Sequence, residues 1–135
     1  MLYLDTNAYS ALANGRAEII EMLKGYHEIC LPLPVIAELQ YGFINGSQKD
    51  KNQKVLDRFL AQANVSVVGP TINTAKIYAE FQNNCVKRGK ALSHNDLWIA
   101  SIVKESKNGI LITYDQDFIA LKEALINQLF VFGDN

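Results

Sequence analysis

Two cysteines, two histidines and three prolines are all that this 135-residue chain holds of those types, and each scarcity excludes something. Cys30 and Cys85 lack metal-type spacing and fall on a predicted strand and a predicted helix, so two buried, reduced thiols are expected. His27 and His94 each stand without a second histidine nearby. That leaves no Cys or His cluster for zinc, although His94, two residues before Asp96, is a candidate general base. No apolar run approaches the roughly 20 residues that span a bilayer. The amino-terminal apolar run is interrupted at once by Asp5, which is not a signal-peptide layout. A cytoplasmic protein with no membrane role is therefore expected. Neither sign of charge dominates: the net charge of −1 gives no general attraction to nucleic acid. A polyanion has to be held by local basic residues or by a bound cation.

What is present points to one domain over residues 1–135. Hydrophobic residues make up 49% of the chain, ample for a single core, and no repeat, low-complexity stretch or linker divides it. Strands are expected at about Leu2–Asp5, Glu28–Leu33, Val65–Val68, Ile110–Thr113 and Leu129–Phe132. Pro32 implies an edge strand or an early end for the second. Between them lie helical patterns: Thr6–Ala13, stopped by Asn14-Gly15; Ala17–Lys24, ending at Gly25; and a helix from Pro34, carrying Val35, Ile36, Leu39 and Phe43, broken at Asn45-Gly46. Further helices are expected over Ser47–Ala63, with Val55, Leu56, Phe59 and Leu60 on one face, and over Thr71–Arg88, with Ile72, Ala75, Tyr78, Ala79 and Phe81 inward. Another starts at Ser93, and a short one covers about Phe118–Ile126. Strands alternate with helices and the middle strands read as apolar throughout. The predicted class is α/β, with a parallel sheet covered by helices on both faces.

Acids sit where such a sheet binds its ligands. Asp5 ends the first strand, Asp115 follows the fourth, Glu38 lies one turn into the helix after the second, and Asp96 is in the first turn of the helix opened by Ser93. In a parallel sheet the strand C-termini share one edge, so Asp5, Glu38 and Asp115 can converge, and Asp96 joins them if its helix packs with its N-terminus toward that edge. Two carboxylates about 5 Å apart repel by roughly 3 kcal/mol at an effective dielectric near 20. Either some of them take up protons or a divalent cation lies between them. All-oxygen ligands favour magnesium or manganese. The chemistry such an ion serves best is phosphodiester hydrolysis. Plainer roles stand beside this one: Ser93-x-x-Asp96 is a capping box with Asp in place of Glu, Glu38 could face solvent, and Asp117 is expected to cap the Phe118 helix.

Four segments in this order resemble a PIN domain, and within that family the toxin ribonucleases of VapBC toxin–antitoxin pairs. They are Leu4-Asp5-Thr6-Asn7, Val35-Ile36-Ala37-Glu38-Leu39-Gln40-Tyr41-Gly42, Asn95-Asp96-Leu97-Trp98-Ile99-Ala100 and Ile112-Thr113-Tyr114-Asp115-Gln116-Asp117-Phe118. The resemblance implies a three-layer fold with a parallel sheet of four or five strands. It implies Asp5, Glu38, Asp96 and Asp115 as the catalytic acids, with Asp5, Asp96 and Asp115 on Mg2+ or Mn2+. Thr6, Asn7, Thr113 and Asp117 would orient a carboxylate, a water or a phosphate. The last segment offers both Asp115 and Asp117 as the fourth acid; Asp115 matches the position just after the strand better. The implied function is a metal-dependent endoribonuclease with a cognate antitoxin, an RNA substrate and a homodimeric form.

Substrate contacts are less marked in the sequence. Lys49, Lys51, Lys54 and Arg58 decorate one helix, and Lys87, Arg88 and Lys90 form a cluster nearer Asp96, which favours it for phosphates. Tyr41 and Tyr114 are candidates for base stacking or for plain packing. Tyr9, Leu12, Ile36 and Phe43 are candidates for a partner groove, a dimer face or the core. The alternative from another class is a non-catalytic PIN-like module that binds RNA or a partner. A phosphotransferase with an aspartate nucleophile is disfavoured, because the position two residues after Asp5 is Asn7.

Overall fold

The structure, a computed structural model, describes residues 1–134. Strands β1 (Leu2–Leu4), β2 (Ile29–Pro32), β3 (Val65–Val68), β4 (Ile110–Thr113) and β5 (Leu129–Val131) form one sheet in the order β3-β2-β1-β4-β5. Every pairing is parallel. Helices α1 (Thr6–Ala13), α2 (Ala17–Leu23), α3 (Leu33–Asn45), α4 (Lys49–Leu60), α5 (Ile72–Lys87) and α6 (His94–Ser106) make the crossovers, with a 3₁₀ segment over Gln116–Leu121 before β5. The five-stranded parallel α/β sheet expected from the sequence is present.

The strand order reverses between β1 and β4. From β1 the chain steps to β2 and β3, then returns across the sheet to β4 and β5. Right-handed crossovers in opposite directions send their helices to opposite faces. In accord, α1 packs with α2 and α3, and α3 with α4, whereas α5 packs with α6 and the 3₁₀ segment. The central strands are buried on both sides, as apolar parallel strands must be. Leu2, Leu4, Leu31, Leu111 and Ile112 are essentially inaccessible. The reversal opens a crevice beyond the C-termini of β1 and β4, the general ligand position in such sheets. Among the described residues no helix is long and apolar enough to cross a membrane.

Several expectations are corrected. Pro32 does not mark an edge: β2 is second from one side and simply stops there, with Leu33 already helical. The edge strands are β3 and β5, and β3, with Ser66 in it and Ser66 and Val67 exposed, is not apolar throughout. Helix α4 is shorter than Ser47–Ala63, and β5 ends at Val131. On α5, Ile72, Ala75 and Ala79 face solvent, and the inward stripe is Thr74, Ile77, Tyr78, Phe81 and Cys85. Thr71 and Thr74 cap each other's backbone, which rotates the helix so that a threonine, not Ile72, lies against the core.

The short helix expected over Phe118–Ile126 is the 3₁₀ segment, two residues earlier, followed by turns. Its cap is Asp115, whose Oδ1 accepts the Asp117 N–H at 2.9 Å, so Asp117 is not the cap. Asn127, with φ of 62°, then redirects the chain. The buried Gln128 amide donates to the Val103 and Gly109 carbonyls, closing the turns against α6.

Gly109, just before β4, is required by close approach: a Cβ there would overlap the Tyr3 ring and the Ser106 hydroxyl. Gly109→Ala is expected to cost about 1–3 kcal/mol, as overpacking a tight core does. Urea unfolding measures this, and a loss below about 0.5 kcal/mol would show that the β1–β4 junction yields easily.

Candidate active site

Asp5 is the centre of the site. It ends β1 and serves as N-cap of α1, where its Oδ1 accepts the Ala8 N–H at 2.8 Å. Its other oxygen, Oδ2, accepts a hydrogen bond from the Thr113 hydroxyl at the end of β4. The same hydroxyl accepts the Asp115 N–H at 2.9 Å. One threonine thus fixes two acids contributed by neighbouring strands at the crevice. Asp5 is only 4% exposed. Burial pushes its pKa from 3.8 to about 6, against the lowering effect of the Thr113 and Ala8 hydrogen bonds, with the charges of Asp96 and Asp115 adding to the rise.

Asp96 lies in the first turn of α6, whose N-cap Ser93 accepts the Asp96 N–H at 3.1 Å. The capping expected for Ser93 and the electrostatic role of Asp96 therefore coexist. The Asp96 pKa is also raised to about 6: first by burial, opposed by a hydrogen bond with Ser93, then by the charges of Asp115, Glu38 and Asp117. Those named charges describe one electrostatic neighbourhood. Asp5 and Asp96 each feel Asp115, and Asp96 also feels Glu38 and Asp117.

Glu38, half-buried on α3, is held from across the site. The Asn95 amide donates to Glu38 Oε1 and, at 3.3 Å, to the Pro34 carbonyl, tying α6 to α3. Asn95 is the positioning residue that sequence reasoning passed over. Its place directly before Asp96, one helical step around from it, is the signal that could have singled it out. Thr6 is half-buried in α1, and its hydroxyl is enclosed with no hydrogen-bond partner. Asn7 and Asp117 are exposed.

Other candidates sort differently. Tyr114 lies between Phe132, with ring centroids 4.4 Å apart, and the Arg16 guanidinium, 4.4 Å from its ring, so both its faces are occupied. Its hydroxyl donates to Glu18. Base stacking on Tyr114 is thereby excluded, whereas Tyr41 is 72% exposed. His94 is exposed and its Nδ1 meets the Tyr78 hydroxyl. Tyr9 and Leu12 line a groove of about 510 Å³ between α1, α2 and α4, away from the acids, while Phe43 is buried and Ile36 packs against the core.

The acids fit a hard divalent ion in kind, as an all-oxygen set with two members driven toward protonation by burial and mutual repulsion. Among the described residues, no three His, Cys, Asp or Glu side chains are gathered tightly enough to enclose an ion by themselves. Each acid is instead oriented by its own partner: Asp5 by Ala8 and Thr113, Glu38 by Asn95, Asp115 by the Asp117 N–H. That arrangement suits magnesium, which takes one or two carboxylates and keeps several waters.

Comparison with known proteins finds relatives along nearly the whole chain. The PIN domain family model matches residues 2–124. The ribonuclease VapC2 of Rickettsia felis is 30% identical over 118 residues, covering 84% of this chain and 86% of that protein. The ribonuclease VapC5 of Mycobacterium tuberculosis is 27% identical, covering 90% and 87%. The crystal structure of VapBC2 from Rickettsia felis, bound to a DNA fragment from its promoter, superposes with a TM-score of 0.77 at 28% identity, over 97% of this chain and 98% of that one.

Burial of Asp5 has a consequence for stability. With a folded pKa near 6, above its ordinary 3.8, the folded protein holds more protons than the unfolded chain between those values. Stability from this group is therefore present in acid and lost as pH rises through 6. Asp5→Asn keeps a side-chain carbonyl for the Ala8 cap and removes the charge. In metal-free buffer it should gain on the order of 1–3 kcal/mol at pH 7 and almost nothing at pH 4. Urea melts across that range read the difference; an equal effect at both ends would show that the buried charge is not its cause.

Proposed function

The chain belongs to the PIN-domain family, and from that premise we propose that it is an endoribonuclease, the toxin of a toxin–antitoxin pair, hydrolysing RNA phosphodiester bonds with the help of magnesium or manganese. The observation that carries this reading is the pair Asp5 and Asp96, two carboxylates raised to about 6 in one acidic neighbourhood at the sheet's reversal point. Relatives named ribonucleases support the reaction, and a structural neighbour that is a VapBC assembly supports the antitoxin partner.

Asp5 and Asp96 would hold the cation, with Asp115 beside them through water. When bound, the ion supplies positive charge at the phosphoryl group and lowers the pKa of an attacking water. The chain's own residues do the rest. Thr113 locks the Asp5 carboxylate in place, so that little reorganisation accompanies the reaction. Asn95 occupies Glu38 Oε1, which leaves Oε2 to accept a proton from the attacking water. Because water rather than the ribose 2′-hydroxyl attacks, the products carry a 5′-phosphate and a 3′-hydroxyl.

The groove between α1, α2 and α4, lined by Leu12, Ile20, Leu23, Val55 and Phe59, is the surface we assign to an apolar segment of the antitoxin. A homodimer belongs to the same reading, and exposed Leu33, Tyr41 and Ile44 on α3 offer it apolar surface. The protein would act in the cytoplasm.

Cleavage of single-stranded RNA by the purified chain should need Mg2+ or Mn2+, stop with EDTA and resume on adding the ion back. Asp5→Asn and Asp96→Asn should each lower the rate by about 10²-fold or more, the scale of a few kcal/mol of transition-state charge stabilisation. Circular dichroism would establish that both variants fold. A cyclic-phosphate product, or cleavage that survives both substitutions together, overturns the mechanism; RNA binding without any cleavage would favour the non-catalytic module.

A further inference from the structure

We propose that the cleft between the α5–α6 connection and the 3₁₀ segment is a subsite for an RNA backbone phosphate flanking the scissile bond, and that Lys90 binds it. This deepens the nuclease reading and rests on it. The cleft has a volume of about 370 Å³, with Gly89, Lys90 and Ala91 on one wall and Gln116, Asp117 and Ala120 on the other. That volume lies within the roughly 300–1,000 Å³ of sites that hold small ligands. It adjoins the acids through Asp117, which lines it and donates its N–H to Asp115. A strand whose reacting phosphate sits at the acids therefore has this cleft beside it for the next nucleotide. A flanking phosphate that no cation touches needs a fixed positive charge of its own.

The structure separates the three basic residues that the sequence groups together. Arg88 is committed to Glu123 at 3.0 Å, across α5 and the 3₁₀ segment. Lys87 belongs to the last turn of α5 and does not line the cleft. Lys90 does line it, and joins no ion pair among the described residues.

Its backbone is also held in place. Gly89, at φ of +65°, ends α5 in a left-handed turn. The Gly89 N–H donates to the Val86 carbonyl, and the Lys90 N–H returns to the Cys85 carbonyl at 2.9 Å. This is a Schellman closure, and glycine is the residue that adopts its left-handed position without strain. The lysine thus leaves the helix end in a set direction, along the wall opposite Asp117. A lysine contact reads phosphate charge and not base identity, so it raises affinity for any sequence.

Steady-state cleavage of a labelled single-stranded RNA tests this, with fluorescence anisotropy measuring binding of the same RNA. Lys90→Gln should raise KM and Kd by about five- to ten-fold, leave kcat within about two-fold, and flatten the salt dependence of log affinity by about 0.7. Lys90→Arg should restore most of the affinity, Arg88→Gln should change it by less than about two-fold, and Gly89→Ala should weaken it partly. Unchanged KM, Kd and salt slope in Lys90→Gln overturns the subsite. Lys90-dependent binding in a wild-type protein that cleaves no RNA would sink the nuclease reading and leave the phosphate contact standing.

Discussion

The arrangement of this molecule's active edge depends on one buried carboxylate and the two donors that hold it. A carboxylate taken out of water is expensive unless its oxygens are paired. Asp5 meets that condition with a helix N–H from Ala8 and a hydroxyl from Thr113. The first donor comes from the element that follows β1 in sequence, the second from a strand more than a hundred residues away. Pairing them adds a side-chain link to the β1–β4 ladder at the point where the strand order reverses and the crevice opens.

The remaining polar architecture is organised around that junction. Thr113 passes the constraint on to Asp115, whose side chain in turn starts the 3₁₀ segment. Asn95 does the corresponding work on the other side, linking α6 to α3 and aiming Glu38. The acids are thus individually supported by protein donors. An edge with this much negative charge repels other anions. Lys90, set beside the acids by the end of α5, is well placed to offset that repulsion.

Much of the fold is legible along the chain because its signals are local. Short apolar runs bounded by turn residues mark the five strands, and Asn14-Gly15 and Asn45-Gly46 lie at or just past the ends of α1 and α3. The errors and the open choices arise where a distant partner decides. Pro32 reads as an edge or an early end, and the end is what it marks, since β3 pairs beyond β2. Ile72 reads as core, yet the paired threonines turn it outward to 83% exposure. Asp117 reads as a cap, yet the Asx-type turn at Asp115 takes that role. Tyr114 reads equally as a stacking or a packing ring, and the cover of Arg16 and Phe132 decides for packing.

The chain by itself determined that Asp5 and Asp115 stand at strand ends and that Asp96 opens a helix. Hydrophobic patterning and capping are written within a few residues of each position. Only the tertiary structure decided which of these groups share a field, which amide aims Glu38, and which of three neighbouring basic residues lines the cleft beside Asp117. Those outcomes depend on contacts between elements far apart in sequence, where distance, burial and competing partners set the energy and no local pattern records them.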